Sequence, residues 1–479
     1  MSVTSAAAHR THGQHVCYSR LYFRRDHPKW ASRVGRGKPR GSTHLDSARA
    51  YRRPHIMARP ANKPVRRVAL YGYLGSGNIG NDASFETVLG WLRTTHPSVD
   101  VRCITIAPEE VTARYGVPSS PLAWRPSGQG SKCLTGKWGK LLGRLLDVLL
   151  SYQLVGSADA IVVPGMGVLE DTLGVQPWGL PLWLLFIAIF CRLRGRSFVL
   201  LDVGAAWATN FATRLLTVVT VRLAAHVSYR DVSSAKAMAR AGARKPAAVA
   251  PDLAFAHPTS TLAKPEPGCL VVGVMAYYGR ADDPIRGAAV RRTYSARMAD
   301  ALATLAGAES QIILVGGDQV DVDVAREIES SVRRLRPDLP DDALIVRELT
   351  TFAEVTEEMS RAEVVIASRF HNLICALRLG RPTVSIGYAG KNRNLMQAVG
   401  VEGYCQDIEQ LEVSTLVAQV ESARRDAEGL TARIRQGTSH YALEVESLLE
   451  QLARDEFGFG ASQSQVPDVT RRMNACRAE

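Results

Sequence analysis

Short apolar runs rich in β-branched residues alternate with longer amphipathic stretches from residue 66 onward. This alternation is typical of βαβ units, in which each strand is followed by a helix that packs on a parallel sheet. A polar stretch near the middle of the chain separates an earlier set of runs from a later one. The pattern predicts strands at Val68–Tyr71, Val101–Ile106, Ala160–Val163, Phe198–Asp202 and His226–Tyr229, and then at Leu270–Met275, Ile312–Val315, Leu344–Val346, Val364–Ala367 and Thr383–Ile386.

The stretches between these runs carry apolar residues at the spacing of an amphipathic helix. The most apolar stretch runs from Trp178 to Cys191, and its fourteen residues are fewer than the ~18–20 that span a bilayer. We interpret it as a core helix, with contact to a membrane surface as the alternative, and we predict no transmembrane segment. Other predicted helices cover Lys137–Leu154, Phe211–Ala225, Ser233–Ala241, Ala296–Leu305 and Val324–Leu335.

The polar stretch His257–Pro267 is rich in Pro, Ser and Thr and has the composition of a linker. Each side of it has its own strands and helices, which predicts an α/β protein of two Rossmann-like domains whose parallel sheets face a cleft. A helical C-terminal extension follows. We place the N-terminal domain at 66–256, the C-terminal domain at 268–426, a C-terminal helix at 427–455 and a flexible tail at 456–479.

The charge of the chain is concentrated in its N-terminal segment. The 479 residues have a formal net charge of +13. Residues 1–56 hold twelve Lys and Arg against Asp26 and Asp46, which leaves +10 in this segment and +3 in the rest. The segment lacks the apolar core of a secretory signal. We predict a disordered basic tail over 1–65, with Met57 as an alternative start and a nucleic-acid-binding arm as an alternative function.

The eight cysteines are scattered along the chain, with no C-x-x-C pair and no close grouping with histidine. This spacing predicts neither a zinc site nor a disulfide framework, and it favours a reducing compartment. We therefore expect a cytoplasmic protein, with the inner face of the membrane as the alternative location.

Open parallel sheets bind ligands beyond the carboxyl ends of their strands, so the residues that follow each strand are the candidate site. The first strand is followed by GYLGSGNIGND, where glycines and the start of a helix suit an anion or a sugar hydroxyl. The G-x-G-x-x-G inside it does not predict a dinucleotide site, because no acidic residue follows the second strand until Glu109. Further polar residues follow strands in PGMGVLED, SYRD, APDLAF and GGDQVD.

The segment SRFHN adds the clearest candidate chemistry. Arg369 and His371 follow the strand Val364–Ala367, and Lys391 follows the next strand along the chain. Because adjacent strand ends open into one crevice, we expect these side chains to meet there. A histidine that only hydrogen-bonds a neighbouring loop is the alternative for His371, and a helix-capping pair with Asp231 is the alternative for Arg230.

The motifs GNIGND, PGMG, SYRD, PDLAF and SRFHN occur in this order, with Lys391 twenty residues after the histidine. In these motifs the chain resembles the polysaccharide pyruvyltransferase family over Arg67–Ile408. The resemblance implies transfer of a pyruvyl group from phosphoenolpyruvate to two hydroxyls of a sugar, which forms a pyruvate ketal and releases phosphate. It also implies a GT-B-like architecture, a cell-envelope polysaccharide or glycolipid as acceptor, and neither a metal nor another cofactor.

The implied chemistry assigns candidate roles to the residues at the strand ends. Phosphoenolpyruvate carries nearly three negative charges, which calls for fixed cations, and protonation of its methylene carbon calls for an acid such as histidine. We expect His371 to act as that acid only with the donor bound, since a helix N-terminus and nearby cations disfavour imidazolium. The candidates are His371 and Arg369 for catalysis; Arg230, Lys391, Ser368, Asn372 and Tyr388 for donor binding; and Asn78, Asn81, Asp82, Gly165, Asp171 and Asp252 for acceptor binding, with the general base left open among the three aspartates.

A GT-B glycosyltransferase that uses a nucleotide sugar is the alternative enzyme. It would need an acidic residue for the donor ribose near GGDQVD or SRFHN, whereas the set of cations favours a compact donor with phosphate and carboxylate groups. The expected partners are phosphoenolpyruvate and a sugar or glycolipid acceptor, with peripheral contact to a membrane as an open alternative and no nucleic acid. The sequence does not predict an oligomeric state.

Overall fold

Two parallel β-sheets form the frame of the protein in the computed structural model. The structure describes residues 65–123, 137–170, 177–258, 263–279, 284–307, 311–388 and 390–459. Each sheet has helices on both faces and a core of its own, in agreement with the predicted fold class of two parallel-sheet α/β domains. The predicted basic tail lies outside the described residues, except for Val65.

The first sheet contains seven strands in the part of the chain that the structure describes. They are β1 (Arg67–Gly72), β2 (Asp100–Thr105), β3 (Ser119–Pro121), β4 (Ala160–Pro164), β5 (Ser197–Val203), β6 (His226–Tyr229) and β7 (Ala248–Val249). Their order across the sheet is β3-β2-β1-β4-β5-β6-β7, and each pair is parallel. The order reverses between β1 and β4, so a crevice opens there beyond the carboxyl ends of the strands.

The second sheet contains six strands among the described residues. They are β8 (Cys269–Gly273), β9 (Gln311–Val315), β10 (Leu344–Arg347), β11 (Val364–Ala367), β12 (Thr383–Gly387) and β13 (Cys405–Asp407). The order is β10-β9-β8-β11-β12-β13, again parallel throughout. The reversal between β8 and β11 opens a second crevice, and SRFHN lies at the end of β11.

Helices connect the strands of both sheets. In the first domain they are α1 (Ile79–Thr95), α2 (Pro108–Tyr115), α3 (Lys137–Ser157), α4 (Leu180–Leu193), α5 (Phe211–Leu223) and α6 (Val232–Ala241). In the second they are α7 (Pro284–Leu305), α8 (Asp321–Leu335), α9 (Phe352–Ser360), α10 (Phe370–Arg378), α11 (Gly390–Ala398), α12 (Val413–Arg425) and α13 (Ala427–Thr438). The last helix, α14 (Tyr441–Leu452), packs on the first domain. Right-handed crossovers place α1 and α2 on one face of the first sheet and α3 to α6 on the other.

All ten predicted strands are present with shifts of one or two residues at their ends, but β3, β7 and β13 were not predicted. Each of the three is an edge strand of two or three residues. Edge strands of this length carry no run of alternating apolar residues, so periodicity gives no signal for them.

The prediction of one C-terminal helix over 427–455 is wrong, because the structure has two helices, α13 and α14. α13 ends at Thr438, and the Thr438 and Ser439 hydroxyls donate to the carbonyls of Ile434 and Gln436. α14 then returns to the first domain, where Val445, Leu448, Leu449 and Leu452 join its core.

The prediction of a flexible tail over 456–479 is wrong for residues 456–459, which belong to the fold of the first domain. A π-helical turn over Ala453–Phe457 continues α14, and Phe457 is buried in the core of the first domain. The Phe457 carbonyl accepts a hydrogen bond of 3.0 Å from the Val65 N–H, and Phe459 stacks on His96. These aromatic contacts hold residues 456–459 on the domain, and 460–479 lie outside the described residues.

None of the described helices is both long enough and apolar enough to cross a bilayer. The apolar stretch that we interpreted as a core helix forms α4. Leu184, Ile187, Ala188 and Cys191 of α4 are buried, whereas its opposite side is only half-buried.

Candidate functional site

The glycine-rich segment after β1 joins the two domains at their strand ends. The Asn78 side chain caps α1 by accepting the Gly80 and Asn81 N–H groups at 3.2 Å. Its amide nitrogen lies 3.4 Å from a carboxylate oxygen of Asp318 in the second domain, and the Ile79 N–H donates to the Gly317 carbonyl at 3.2 Å. The start of α1 is therefore fixed against the loop that follows β9.

His371 lies in the first turn of α10 and faces the first domain. Its Nε2 is 3.5 Å from Oδ2 of Asp252, and its Nδ1 side lies against Gly80. A Cβ atom added to Gly80 would stand 1.9 Å from Nδ1, so only glycine fits at this position of α1. The two strand-end motifs thus meet across the cleft, with the imidazole between a carboxylate and a bare stretch of backbone.

Arg230 lies at the end of β6 and holds the carboxylates of the first domain together. Its side chain is 4% exposed. Its Nη1 donates to Oδ2 of Asp252 at 3.3 Å and to the Gly165 carbonyl at 3.4 Å, and its Nη2 donates to Oε1 of Glu170 at 2.5 Å. Gly204 packs directly against the ion pair of Arg230 and Glu170, since a Cβ atom added to Gly204 would lie within 2.5 Å of both side chains.

Asp252 is ionised although it is buried. Burial alone would raise its pKa, but His371, Arg230 and the Ala254 N–H lower it to about 2. The expectation that His371 acts as an acid only with the donor bound stays a prediction.

Two acidic residues of this cluster were not among the site candidates. Burial raises the pKa of Glu170, but the charges of Arg230 and Lys391 outweigh it and lower the pKa. Asp202, at the end of β5, is fully buried and adopts a φ of 55°, the left-handed conformation. Burial and the neighbouring Asp252 raise its pKa well above the usual range. One of its oxygens accepts the Leu253 N–H at 3.0 Å and so positions the turn that carries Asp252.

Lys391 reaches the cluster from the second domain. Its Nζ is 3.9 Å from Oε2 of Glu170. The same nitrogen lies 5.0 Å from the ring centre of Phe370 and 5.8 Å from that of Tyr388, which are favourable cation–π distances. The structure thus brings together Lys391 and Tyr388 of the second domain with Arg230 and Asp252 of the first.

The sequence predicted that Arg369 meets His371 and Lys391 in one crevice. In the structure, the Arg369 side chain binds a buried carboxylate of the second domain. Its Nε and Nη2 donate to the two carboxylate oxygens of Asp321 at 2.8 and 2.7 Å, a bidentate pair. Asp321 is fully buried and also accepts the Ala276 and Gly317 N–H groups at 2.8 and 3.0 Å. This arrangement fixes the strand ends of the second domain and leaves Arg369 only its remaining N–H groups for a ligand.

Ser368 and Asn372, two candidates for donor binding, are buried beside the strand ends. The Ser368 hydroxyl is 2.9 Å from the Tyr294 hydroxyl. The Asn372 amide nitrogen is 3.5 Å from the Gly316 carbonyl, and a Cβ at Gly273 would lie 2.4 Å from that nitrogen. Both contacts are internal to the second domain, and their role toward a donor stays a prediction.

Asn81, Asp82 and Gly165 lie at the start of α1 and the end of β4. The Asn81 side chain donates to the Tyr73 carbonyl at 3.2 Å, and Gly165 has a φ of 59° with its Cα against Ser84. Oδ1 of Asp82 accepts the Gly75 N–H at 2.9 Å, on the side of α1 that faces Arg114. Asp171 lies outside the described residues.

We expect Asp82 to make stability depend on pH. Burial, opposed by the Gly75 N–H, raises the pKa of Asp82 to about 6, against about 4 in an unfolded chain. Stability from the neutral carboxyl is therefore complete below about pH 4 and is lost as the pH rises to about 6, by at most about 3 kcal/mol. Asp82→Asn removes this titration, so its melting temperature should rise relative to the wild type between pH 4 and pH 7. Thermal unfolding at several pH values measures the difference, and a constant difference would contradict the assignment.

The described residues contain no group of three or more His, Cys, Asp and Glu side chains that could hold a metal ion. The expectation that the protein uses no metal or other cofactor stays a prediction.

The model of one protein family, described as polysaccharide pyruvyl transferase, matches residues 78–390, which includes the strand ends of both domains. No curated protein matches the chain.

Solved structures of low sequence identity share the architecture. A putative UDP-N-acetylglucosamine 2-epimerase from Listeria monocytogenes has a TM-score of 0.56 at 8% identity, over 84% of this chain and 99% of that one. Alr3699/HepE of Anabaena, in complex with UDP and glucose, has a TM-score of 0.52 at 16% identity, over 81% and 98%. The UDP-GlcNAc 2-epimerase from Neisseria meningitidis has a TM-score of 0.52 at 10% identity, over 81% and 99%. The likeness shows a common GT-B-like fold of two Rossmann-like domains.

Proposed function

This chain belongs to the polysaccharide pyruvyl transferase family, and on that basis we propose that it transfers the pyruvyl group of phosphoenolpyruvate to two hydroxyls of one sugar. The acceptor is a cell-envelope polysaccharide, a glycolipid or its lipid-linked precursor, and the products are a cyclic pyruvate ketal and phosphate. The protein uses no metal or further cofactor for this reaction.

The pairing of His371 with Asp252 across the cleft is the observation that carries this proposal. A carboxylate beside an imidazole orients the ring and favours its protonated form, which can donate the proton to a substrate. In this pairing Nε2 lies 3.5 Å from Oδ2 of Asp252. Nδ1 packs against the backbone of Gly80, which holds the ring in this position.

The reaction requires an acid, a cation and two hydroxyls in one place. His371 donates its proton to the methylene carbon of phosphoenolpyruvate, which leaves an oxocarbenium ion at C2. The first sugar hydroxyl adds to C2 and gives up its proton, which restores the proton that His371 donated. The second hydroxyl displaces phosphate from C2, and its proton leaves with the phosphate. The low pKa of Asp252 suits the role of holding the imidazolium rather than that of accepting a hydroxyl proton.

Lys391 is the cation best placed to bind the donor. Arg230 and Arg369 are held by buried carboxylates at 2.5 to 3.3 Å, whereas the carboxylate contact of Lys391 is 3.9 Å long. A phosphate or carboxylate group of the donor can therefore attract Lys391 at a smaller cost in lost contacts.

Two methionine substitutions separate donor binding from structure. Lys391→Met should raise the KM for phosphoenolpyruvate about ten- to a hundredfold, the value of one charge-assisted bond, with little change in melting temperature. Arg230→Met should instead destabilise the protein by about 3–5 kcal/mol, because it leaves Glu170 and Asp252 buried without their partner. Steady-state kinetics and thermal unfolding measure both effects. An unchanged KM in Lys391→Met would remove Lys391 from the donor site.

The direct test incubates the purified full-length protein with phosphoenolpyruvate and fractionated envelope glycans. We expect release of phosphate that depends on both substrates, together with a gain in glycan mass that corresponds to a pyruvate ketal. UDP-glucose in place of phosphoenolpyruvate serves as the control. Glycosyl transfer from UDP-glucose without any pyruvyl transfer would replace this proposal with the glycosyltransferase alternative.

A further inference from the structure

The helices α3, α4 and α5 form a layer whose outer side faces away from both cores. Large apolar side chains are exposed on this side. We call six of these residues the apolar face: Leu149, Trp178, Leu193, Trp207, Phe211 and Leu215. Their exposed fractions range from 37% for Trp207 to 72% for Leu193. The central helix α4 has no polar residue before Arg192, so that its outward side, half-buried between its neighbours, is also apolar.

These residues lie on adjacent elements of a single layer. α4 packs against α3 on one side and against α5 on the other. The Tyr152 ring of α3 meets the Phe190 ring of α4 at 5.4 Å, which fixes the contact between these two helices. The exposed apolar side chains therefore lie on neighbouring helices of one layer, and a concentration of this kind marks an interaction site.

Basic side chains surround the apolar face. Arg214 and Arg240 lie over the Trp207 ring at 4.6 and 4.5 Å, and Arg194 lies over the Tyr152 ring at 3.8 Å. Within α3 to α6 every charged residue is Lys or Arg except Asp147, whose side chain is buried. In contrast, α8 of the second domain mixes Asp and Glu with Arg along its length. The partner of the apolar face must therefore be both apolar and anionic.

A bilayer with anionic lipids fits this chemistry better than the other possible occupants. A second copy of the chain would bring arginines against arginines, and the N-terminal segment with its charge of +10 would be repelled in the same way. Tryptophan and arginine side chains are suited to the lipid–water interface, because their apolar parts enter the hydrocarbon while their polar groups stay among the headgroups. We propose that the apolar face docks on a membrane surface that carries anionic lipids.

The position of the apolar face connects this docking to the cleft. In a parallel α/β sheet the helices begin at the edge where the strands end, so the first turns of α4 and α5 lie at that edge. Trp178, Trp207 and Phe211 stand at or just before those first turns. A membrane-bound protein would thus hold its cleft close to the lipid surface. This step rests on the proposed function, and it favours an acceptor glycan that is still attached to a lipid.

Sedimentation with lipid vesicles tests the docking without any catalytic turnover. Full-length protein is mixed with vesicles of phosphatidylcholine alone or of phosphatidylcholine with phosphatidylglycerol. We expect it to sediment with the vesicles that contain phosphatidylglycerol and to bind more weakly to phosphatidylcholine alone or at high salt. The double substitution Phe211→Ser with Leu215→Ser should weaken binding at least about tenfold.

Tyr278→Ser with Leu335→Ser is the matched control, since these residues of the second domain have similar exposure at 55% and 51%. The control should bind like the wild type. If the serine pair at 211 and 215 lowers the melting temperature, Arg214→Glu with Arg240→Glu provides a second variant, with the same loss of binding expected. Absence of vesicle binding by the wild type would overturn the proposal, as would unchanged binding in both variants, which would assign binding to another segment. Failure of pyruvyl transfer alone would leave the docking result intact.

Discussion

Replacing His371 by glutamine is expected to reduce pyruvyl transfer by about 10²–10⁴-fold while the fold is retained. General acid catalysis by a positioned side chain contributes a factor of this size, and glutamine cannot donate a proton to a carbon atom near neutral pH. Glutamine keeps an amide N–H that can reach Asp252, so the buried carboxylate does not lose every donor on that side. Phosphate release from phosphoenolpyruvate in the presence of acceptor measures the loss.

His440 offers a matched control for this substitution. Its side chain is 55% exposed at the start of α14, where its contact is with Glu444 at 3.7 Å. His440→Gln should leave both the rate and the melting temperature near the wild-type values. Turnover at the wild-type level in His371→Gln would exclude His371 as the acid, and a large loss in His440→Gln would show that the assay reports a general effect of histidine replacement.

The sequence predicts which residues of the candidate site lie at strand ends, but not which of them meet across the cleft. His371, Lys391 and Arg230 each follow a strand, and parallel strands bring their carboxyl ends to one edge of a sheet. Which residues meet across the cleft depends on how the two domains approach each other. The contact of Gly80 with His371, and that of Lys391 with Glu170, join segments that are far apart in the chain. Local periodicity holds no information about such pairs.

Arg369 and Asp202 show a second limit of sequence-based prediction. The sequence does not identify the partner that a charged side chain binds, or the burial and backbone conformation that it adopts. The sequence places Arg369 in the motif SRFHN but does not indicate that Asp321, at the start of α8, binds its guanidinium in a bidentate pair. Asp202 ends an ordinary apolar strand, and only its φ of 55° and its burial distinguish it. A buried carboxyl in a strained backbone conformation is a frequent feature of functional sites, but it leaves no mark in the pattern of residues.

The motif GNIGND gains a specific meaning from the structure. The sequence suggested that its glycines allow an anion or a sugar to approach the backbone. Gly80, however, lies in the first turn of α1 without a positive φ, so its backbone conformation suits any residue. What excludes a side chain there is the imidazole of His371. The glycine is thus required by its contact with the His371 ring and not by the turn.

Gly80→Ala should therefore inactivate the enzyme without unfolding it. The added methyl group would stand 1.9 Å from Nδ1 and 2.4 Å from Cε1 of His371, so the ring must move away from its present position. A displacement of about 1 Å at a reacting group can lower the rate about a hundredfold. The rate of phosphate release should fall by at least that factor, while the melting temperature should stay near the wild-type value.

Gly90→Ala in the same helix is the control, because it adds a methyl group to α1 without placing it against His371. A Cβ at Gly90 would meet Pro258 at 3.6 Å, an ordinary van der Waals contact. Alanine is more favourable than glycine inside a helix by about 1 kcal/mol, so Gly90→Ala should stabilise the protein and keep its activity. Equal activity in both variants would show that His371 tolerates a shift of its ring, and it would separate the position of the imidazole from the chemistry assigned to it.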